Sequence, residues 1–304
     1  MHYKLKRITP LDCVVLLALF LFAGFICYRL FYSLNYRWNW SVIPTYMFRL
    51  NENTGKWEPN ILLEGLFTTL RLSFWGMVLA ILIGFLFGLM RVSTRLFFRL
   101  AGRTYIELIR NTPPLVLVFI FYYFITDQIL VSFAIDEKIL SSPAWLQKFI
   151  SIFFADPPSL NPFLSGVLTL ALFQGAYIAE IVRAGIQSIK QEQWESAWSL
   201  GLNKWQVMRL IILPEAIRIM LPPLGNEFIN TVKWSSIVSI ISIQELTFQG
   251  LQVMASTHAT IELWITISVI YLLLCLTLSV IVAKIERRLS RFDSFFQTGA
   301  AEGN

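Results

Sequence analysis

Long apolar runs alternate with short polar, charge-bearing intervals along almost the whole chain, and most runs are too long for buried strands or ordinary core helices. A membrane-crossing helix needs roughly 20 apolar residues. By that measure the pattern predicts about six spans, at 12–32, 62–90, 104–133, 163–187, 231–253 and 262–284. The fifth is the weakest. It opens on Lys233-Trp234-Ser235-Ser236 and closes on Gln244-Glu245, leaving Ile237 to Ile243 as its only strongly apolar stretch. Such a helix is expected to line a protein interior rather than face lipid.

Two intervals, about 33–61 and 134–162, carry aromatic residues suited to a membrane–water boundary, among them Trp38, Trp40, Trp57 and Trp145. In the second, Ala144 to Ala155 reads as a short amphipathic helix on the membrane surface, ended by Asp156-Pro157-Pro158. A third interval, Gln187 to Asn230, is too polar for lipid and reads as consecutive short helices. Gly201 suits the position just past a helix end, and Asn203 with Gln206 has the spacing of a capping box that opens the next helix. Trp205, Met208 and Ile212 fall along one stripe. Pro214 suits a first helical turn, and Pro222-Pro223 is expected to interrupt the chain again. With Trp194, Trp198 and Trp205 on it, this loop has the makings of a docking surface; the alternative is a hairpin folded against its own membrane domain.

Composition agrees with a polytopic membrane protein: 56% of residues are apolar and 14% charged. The net charge of +6 follows from topology and needs no nucleic-acid partner. Lys4, Lys6 and Arg7, the series Arg91 to Arg103, the loop cations from Lys190 to Lys233, and Lys284 to Arg291 all fall on one side of the predicted spans. Arg37, Arg49, Lys56, Lys138 and Lys148 fall on the other. The positive-inside rule then places both termini in the cytoplasm. The run Cys13 to Leu30 follows a basic start but is longer than a signal-peptide core and lacks an A-x-A site, so it reads as an anchoring span. Cys13, Cys27 and Cys275 have no C-x-x-C spacing, and His2 and His258 are isolated, which argues against a disulfide framework, a metal site or a catalytic triad. No G-x-x-x-x-G-K-[ST] phosphate loop is present.

The loop spacing Glu195-Ser196-Ala197, then Gly201, then Ile211-Ile212-Leu213-Pro214 resembles the loop, named for its Glu-Ala-Ala start, of permease subunits in bacterial ATP-binding-cassette importers. Ser196 stands where that family usually has Ala. Four further segments are similar to its polar amino-acid uptake branch: Gly65 to Ser73, Tyr105 to Val116 with Glu107, Arg110, Thr112 and Pro113, Ala179 to Ile186, and Lys233 to Ile237. Leu117 stands where that branch often has Gln. The resemblance covers roughly 62–288 and leaves the first span and 33–61 outside it.

The resemblance implies an all-α, multi-pass protein of the bacterial cytoplasmic membrane, with 62–288 as the importer domain and a coupling loop at 188–223; outside it, the apolar pattern and charge make 1–61 an anchoring span and outer segment and 289–304 a cytoplasmic tail. It implies a non-enzymatic transport subunit that moves polar amino acids by alternating access. ATP and magnesium would be bound by two copies of a separate ATPase docked on 191–214. Glu195, Ser196, Ala197, Gly201, Trp205, Leu213 and Pro214 are the expected coupling residues. A second permease, identical or a sister, and a periplasmic or tethered solute-binding protein complete the implied assembly. An ion-coupled secondary carrier is the alternative; against it stand the long loop and the lack of an inverted repeat.

An amino-acid zwitterion in a low-dielectric cavity needs a cation for its carboxylate and an acceptor for its ammonium. Arg110 and Glu180 are the candidates, with Asn111, Thr112, Thr69 and Tyr177 as neutral hydrogen-bonding groups. Glu180 with Arg183, and Glu107 with Arg110, stand three apart on predicted helices, so internal pairing is the competing account.

Overall fold

The computed structural model describes residues 10–29, 36–52, 55–130 and 135–301. The described residues up to Trp40 belong to one unit, whose main element is the apolar helix α1 (Pro10–Tyr28). The unit from Ser41 onward opens with α2 (Val42–Met47) and an antiparallel ribbon, β1 (Phe48–Leu50) with β2 (Trp57–Pro59), in which Arg49 lies opposite Glu58. The ribbon was not legible in the apolar pattern, yet the fold class is all-α. Among the described residues α3 (Ile61–Val92), the stretch Pro157–Gln187 containing α8 (Leu160–Gln187), and the Thr260–Arg288 part of α13 (Thr260–Ala301) are each long and apolar enough to cross a bilayer alone.

The third predicted span is not one helix from 104. α4 (Leu96–Arg110) starts earlier, ends before Asn111-Thr112-Pro113, and is followed by α5 (Pro114–Ile120) and a π-helical run, Phe121–Leu130. Proline removes a ladder donor and disfavours helical geometry in the residue before it, so the break falls at Thr112–Pro113. Between this segment and α8 lie α6 (Ile135–Leu140) and α7 (Ala144–Phe153), the latter on the stretch expected to be amphipathic.

The loop after α8 forms α9 (Gln191–Ser199), α10 (Lys204–Val207), a π-helical turn at Met208–Ile212, and α11 (Leu213–Trp234), with Pro214 in its first turn. The expected interruption at Pro222-Pro223 does not occur: both prolines lie inside α11. Ala216 and Met220 before them and Ile229, Thr231 and Val232 after them are all buried, so packing on both sides carries the helix across two missing donors.

The expected helix over 231–253 is also absent. α11 ends at Trp234, a 3-10 stretch runs Ser235–Ile241, Ser242 takes a left-handed conformation with φ 61°, and α12 (Leu246–Thr257) begins afresh. The hydroxyls of Ser235, Ser236 and Ser239 each donate at 2.7 Å to the carbonyl three residues back, which tightens the chain and competes with the i to i+4 ladder.

α3 and α8 pack along most of their lengths. Gly84 and Gly88 on α3 face Ile178 and Val182 on α8 so closely that a Cβ on either glycine would lie within 2.6 Å of the facing side chain. Lipid supplies no hydrophobic drive between helices, and close backbone approach at small residues is what holds such pairs. One core cluster joins Met77 of α3 and Val182 and Ile186 of α8 to Ala197, Val207, Ile212 and Ala216 of the loop region. A second, around Leu72, Phe163, Leu170, Val238 and Ile243, lies toward the other end of the same helices.

Candidate functional site

The loop presents two faces of different character. Ala197 is 1% exposed, and with Val207 and Ile212 it seals the loop to α3 and α8. Gln193 Nε2 donates to Glu215 Oε1 at 3.0 Å and ties α9 to the start of α11. Glu195, Ser196, Trp198, Leu200, Gly201 and Trp205 are exposed on the other face, Leu200 at 76% and Trp205 at 69%. The close-packed small residue is therefore Ala197 and not Ser196. Of the expected stripe, Trp205 is exposed, Met208 half-buried and Ile212 buried, because the π-helical turn rotates the chain between them. Leu213 is half-buried and Pro214 exposed at the head of α11.

Gly201 has φ +74°, and the turn around it is closed by two bonds: Gly201 N–H to Trp198 O at 2.9 Å and Leu202 N–H to Ala197 O at 3.4 Å. This is the Schellman arrangement, which requires a left-handed residue just past the cap. Asn203 and Gln206 then form the capping box in both directions, each bond 2.9 Å. An exposed apolar and aromatic surface on a turn braced this tightly is what a partner would dock against.

Of the six proposed substrate contacts, the structure brings three into one neighbourhood. The Arg110 guanidinium sits over the Tyr177 ring, 5.5 Å from its centre, and Arg110 and Arg91 lie within electrostatic reach of Glu180. Glu180 is already engaged by Arg183, through Nε at 2.9 Å and a closer contact from Nη2. Glu107 pairs with Arg103 at 2.6 Å, and the anticipated Glu107–Arg110 pair does not form. Thr112 donates to Leu108 O at 2.6 Å and Asn111 is exposed at the end of α4, so both serve or flank the helix break.

Thr69 stands apart from that group. It is fully buried, donates to Glu245 Oε2 at 3.4 Å and accepts from Leu246 N–H at 3.1 Å. Glu245, also fully buried, receives Tyr271 Oη–H at 2.8 Å and Phe248 N–H at 2.8 Å, capping α12 and binding it to α3 and α13. The sequence shows Glu245 only as the polar close of a span. Its place three residues before Phe248 N–H, at a helix start, was the one available signal.

Residues 76–291 match the family described as binding-protein-dependent transport system inner membrane component. The chain is 34% identical over 229 residues to the glutamine transport system permease protein GlnP of Escherichia coli (strain K12), covering 75% of this chain and 93% of that one. It is 30% identical over 251 residues to the glutamate/aspartate import permease protein GltJ of the same strain, covering 83% and 94%. In structure it is similar to a chain of an amino acid ABC transporter crystallised with histidines: TM-score 0.60, 36% identity, 75% of this chain and 94% of that one.

Proposed function

The chain belongs to the family of binding-protein-dependent transport system inner membrane components, and from that premise we propose that it is the permease subunit of an ATP-driven importer of polar amino acids in the bacterial cytoplasmic membrane. The observation that carries this reading is the α9–α10 surface. Trp198, Leu200 and Trp205 are exposed beside a Schellman turn, while Ala197 on the opposite face is locked into the α3–α8 core. Two copies of an ATPase subunit, binding ATP and magnesium, are the partners proposed for that surface. Movement of the docked ATPase would pass through Ala197, Val207 and Ile212 to Val182 and Ile186 and tilt the helices that form the path. A second permease, identical or a sister, and a periplasmic or tethered solute-binding protein complete the proposed assembly. Permease relatives named for glutamine and for glutamate/aspartate support the substrate class, and an ion-coupled carrier finds no support among them.

The complex purified with its ATPase should hydrolyse ATP faster when a binding protein loaded with amino acid is added to proteoliposomes. A chain that purifies without an ATPase and concentrates amino acids on an ion gradient alone would overturn the reading.

The orientation proposed places the α9–α10 loop and both termini in the cytoplasm. In a variant freed of native cysteines, Lys56→Cys should react with an impermeant thiol reagent added to intact cells, and Lys204→Cys should react only after permeabilisation. Both side chains are exposed, so access and not burial decides the outcome. The opposite pattern would reverse the orientation and remove the loop from the ATPase.

Arg110 and Glu180, with Tyr177, are proposed to receive the zwitterion's carboxylate and ammonium, and Asn111, Thr112 and Thr69 are proposed to help shape the path. Arg110→Gln should weaken amino-acid affinity of the assembled complex about tenfold or more, the loss expected for a charge-assisted bond. Glu180→Gln also strands Arg183, so part of its effect should appear as lower thermal stability. Unchanged affinity in both well-folded variants would remove these residues from the site.

A further inference from the structure

A polar cavity of about 350 Å³ opens where α3 and α8 begin and α12 starts afresh, away from Arg110 and Glu180. Pockets for small molecules run from roughly 300 Å³ upward, so the space suits a ligand of few atoms. Its charged lining consists of Arg71 from α3, Glu64 about two turns earlier, and Asp156 between α7 and α8; Gln244 and Gln249 close it from the α12 side.

Each charged group is held by bonds that spare part of its capacity. The Arg71 guanidinium is anchored through Nη1 to Ser151 O at 2.6 Å and Phe154 O at 3.1 Å, and through Nε to Phe67 O at 3.4 Å; none of these uses Nη2. Asp156 accepts from Ser151 Oγ through Oδ1 alone, and Glu64 meets Arg49 through Oε1 at 3.5 Å. The telling residue is Gln249. It is 6% exposed, it lines the cavity, and its Oε1 has no hydrogen-bond donor. A buried acceptor left without a donor costs free energy unless a ligand completes it.

We propose that this cavity is an entry subsite for the zwitterionic head of the transported amino acid, occupied before the molecule reaches Arg110 and Glu180. The Arg71 guanidinium faces the carboxylate, and Glu64, Asp156 and the Gln249 carbonyl take the ammonium. One guanidinium against two carboxylates favours ligands that carry an ammonium and disfavours N-acylated ones. The inference rests on the amino-acid importer reading and on the orientation that turns this end of α3 outward.

The test uses the full complex in nanodiscs without its solute-binding protein, probed by equilibrium binding with the standard protein amino acids and L-cystine, and with N-acetyl derivatives of whichever bind. Gln249→Met removes the unpartnered oxygen at nearly constant shape. It should leave the melting temperature of the empty complex unchanged or higher while raising Kd about tenfold or more, since 1.4 kcal/mol corresponds to a factor of ten. Glu64→Gln and Asp156→Asn alter side chains exposed at the mouth, which keeps a folding failure of the Gln249 variant from deciding the matter. Both should weaken the free amino acid, and the N-acetyl derivative should fail to compete on the wild type.

Unchanged Kd in the two carboxylate variants, or in a folded Gln249→Met, overturns the entry subsite; if Arg110→Gln still abolishes binding in that case, the importer reading stands without it. If no amino acid binds the wild-type complex and none is taken up by cells carrying it, the importer reading falls and the subsite with it.

Discussion

Gly201→Val is expected to abolish most uptake while leaving the chain inserted in the membrane at normal levels. No atom outside the turn lies within 4 Å of where a Cβ at Gly201 would stand, so the substitution meets no steric wall. Its cost is conformational. With φ at +74° the residue is left-handed, which costs an ordinary L-residue about 1–2 kcal/mol and a β-branched one more. That is comparable to what the two closing bonds around Gly201 contribute together at about 1 kcal/mol each, so the extra cost of a β-branched residue tips the turn open. Opening it swings the exposed Trp205 away from Trp198 and splits the proposed docking surface, whereas the buried Ala197 side stays anchored in the core.

The expected order of transport activity is therefore Gly201→Asn nearest to wild type, Gly201→Ala intermediate and Gly201→Val lowest, because Asn visits the left-handed region most readily of the three. Uptake of labelled amino acid by cells, with membrane abundance and ATPase co-purification measured in parallel, reads this order. Wild-type uptake by Gly201→Val with the ATPase still bound would show that the turn plays no part in coupling.

That turn was legible in the sequence because every signal for it is local: a glycine past a helix end, an Asn–Gln pair three apart, and a proline in the next first turn. Local signals also misled. Pro222-Pro223 reads as a stop, but a proline's effect is decided by whether the helix has a buried face on both sides of it, and Met220 and Ile229 supply one. The fifth segment failed for a related reason. Its apolar run is long enough for half a span, while the serines that tighten it into a 3-10 turn reveal their carbonyl bonds only in three dimensions. The pairing of Glu107 with Arg103 in place of Arg110 shows that helical spacing offers alternatives which surroundings then choose between. Glu245 showed only as the polar close of a span, and neither its cluster nor the Gln249 cavity was legible, since Thr69 and Glu245 lie far apart in the chain and meet only when α12 is laid across α3.

The α3–α8 seam gives the largest expected loss of stability. A Cβ at Gly84 would lie 2.5 Å from Ile178 Cγ2, 2.6 Å from Ile178 Cβ and 2.9 Å from the Gly175 carbonyl oxygen. At Gly88 it would lie 2.6 Å from Val182 Cβ and 2.8 Å from the Ala179 carbonyl oxygen. Two of these contacts are with backbone oxygens and two with β-carbons, none of which a rotamer change can move. The helices must separate, and separation loses the close packing that substitutes for hydrophobic drive within lipid. Gly84→Ala and Gly88→Ala should each cost about 2–3 kcal/mol, the upper part of the range for overpacking a tight core, and the double variant should fail to accumulate. Gly76, on the same helix, is the internal control: its Cβ would meet Leu170 Cβ at 3.3 Å, a contact that a small adjustment relieves, so Gly76→Ala should cost under about 1 kcal/mol. Melting temperatures of the three detergent-purified single variants decide the matter. Equal effects at positions 76, 84 and 88 would mean that the seam is not set by contact distance. If the expected order holds, the same tight register explains how a push on Ala197 can reach α3, because Ile178 and Val182 leave α8 no room to slide past it.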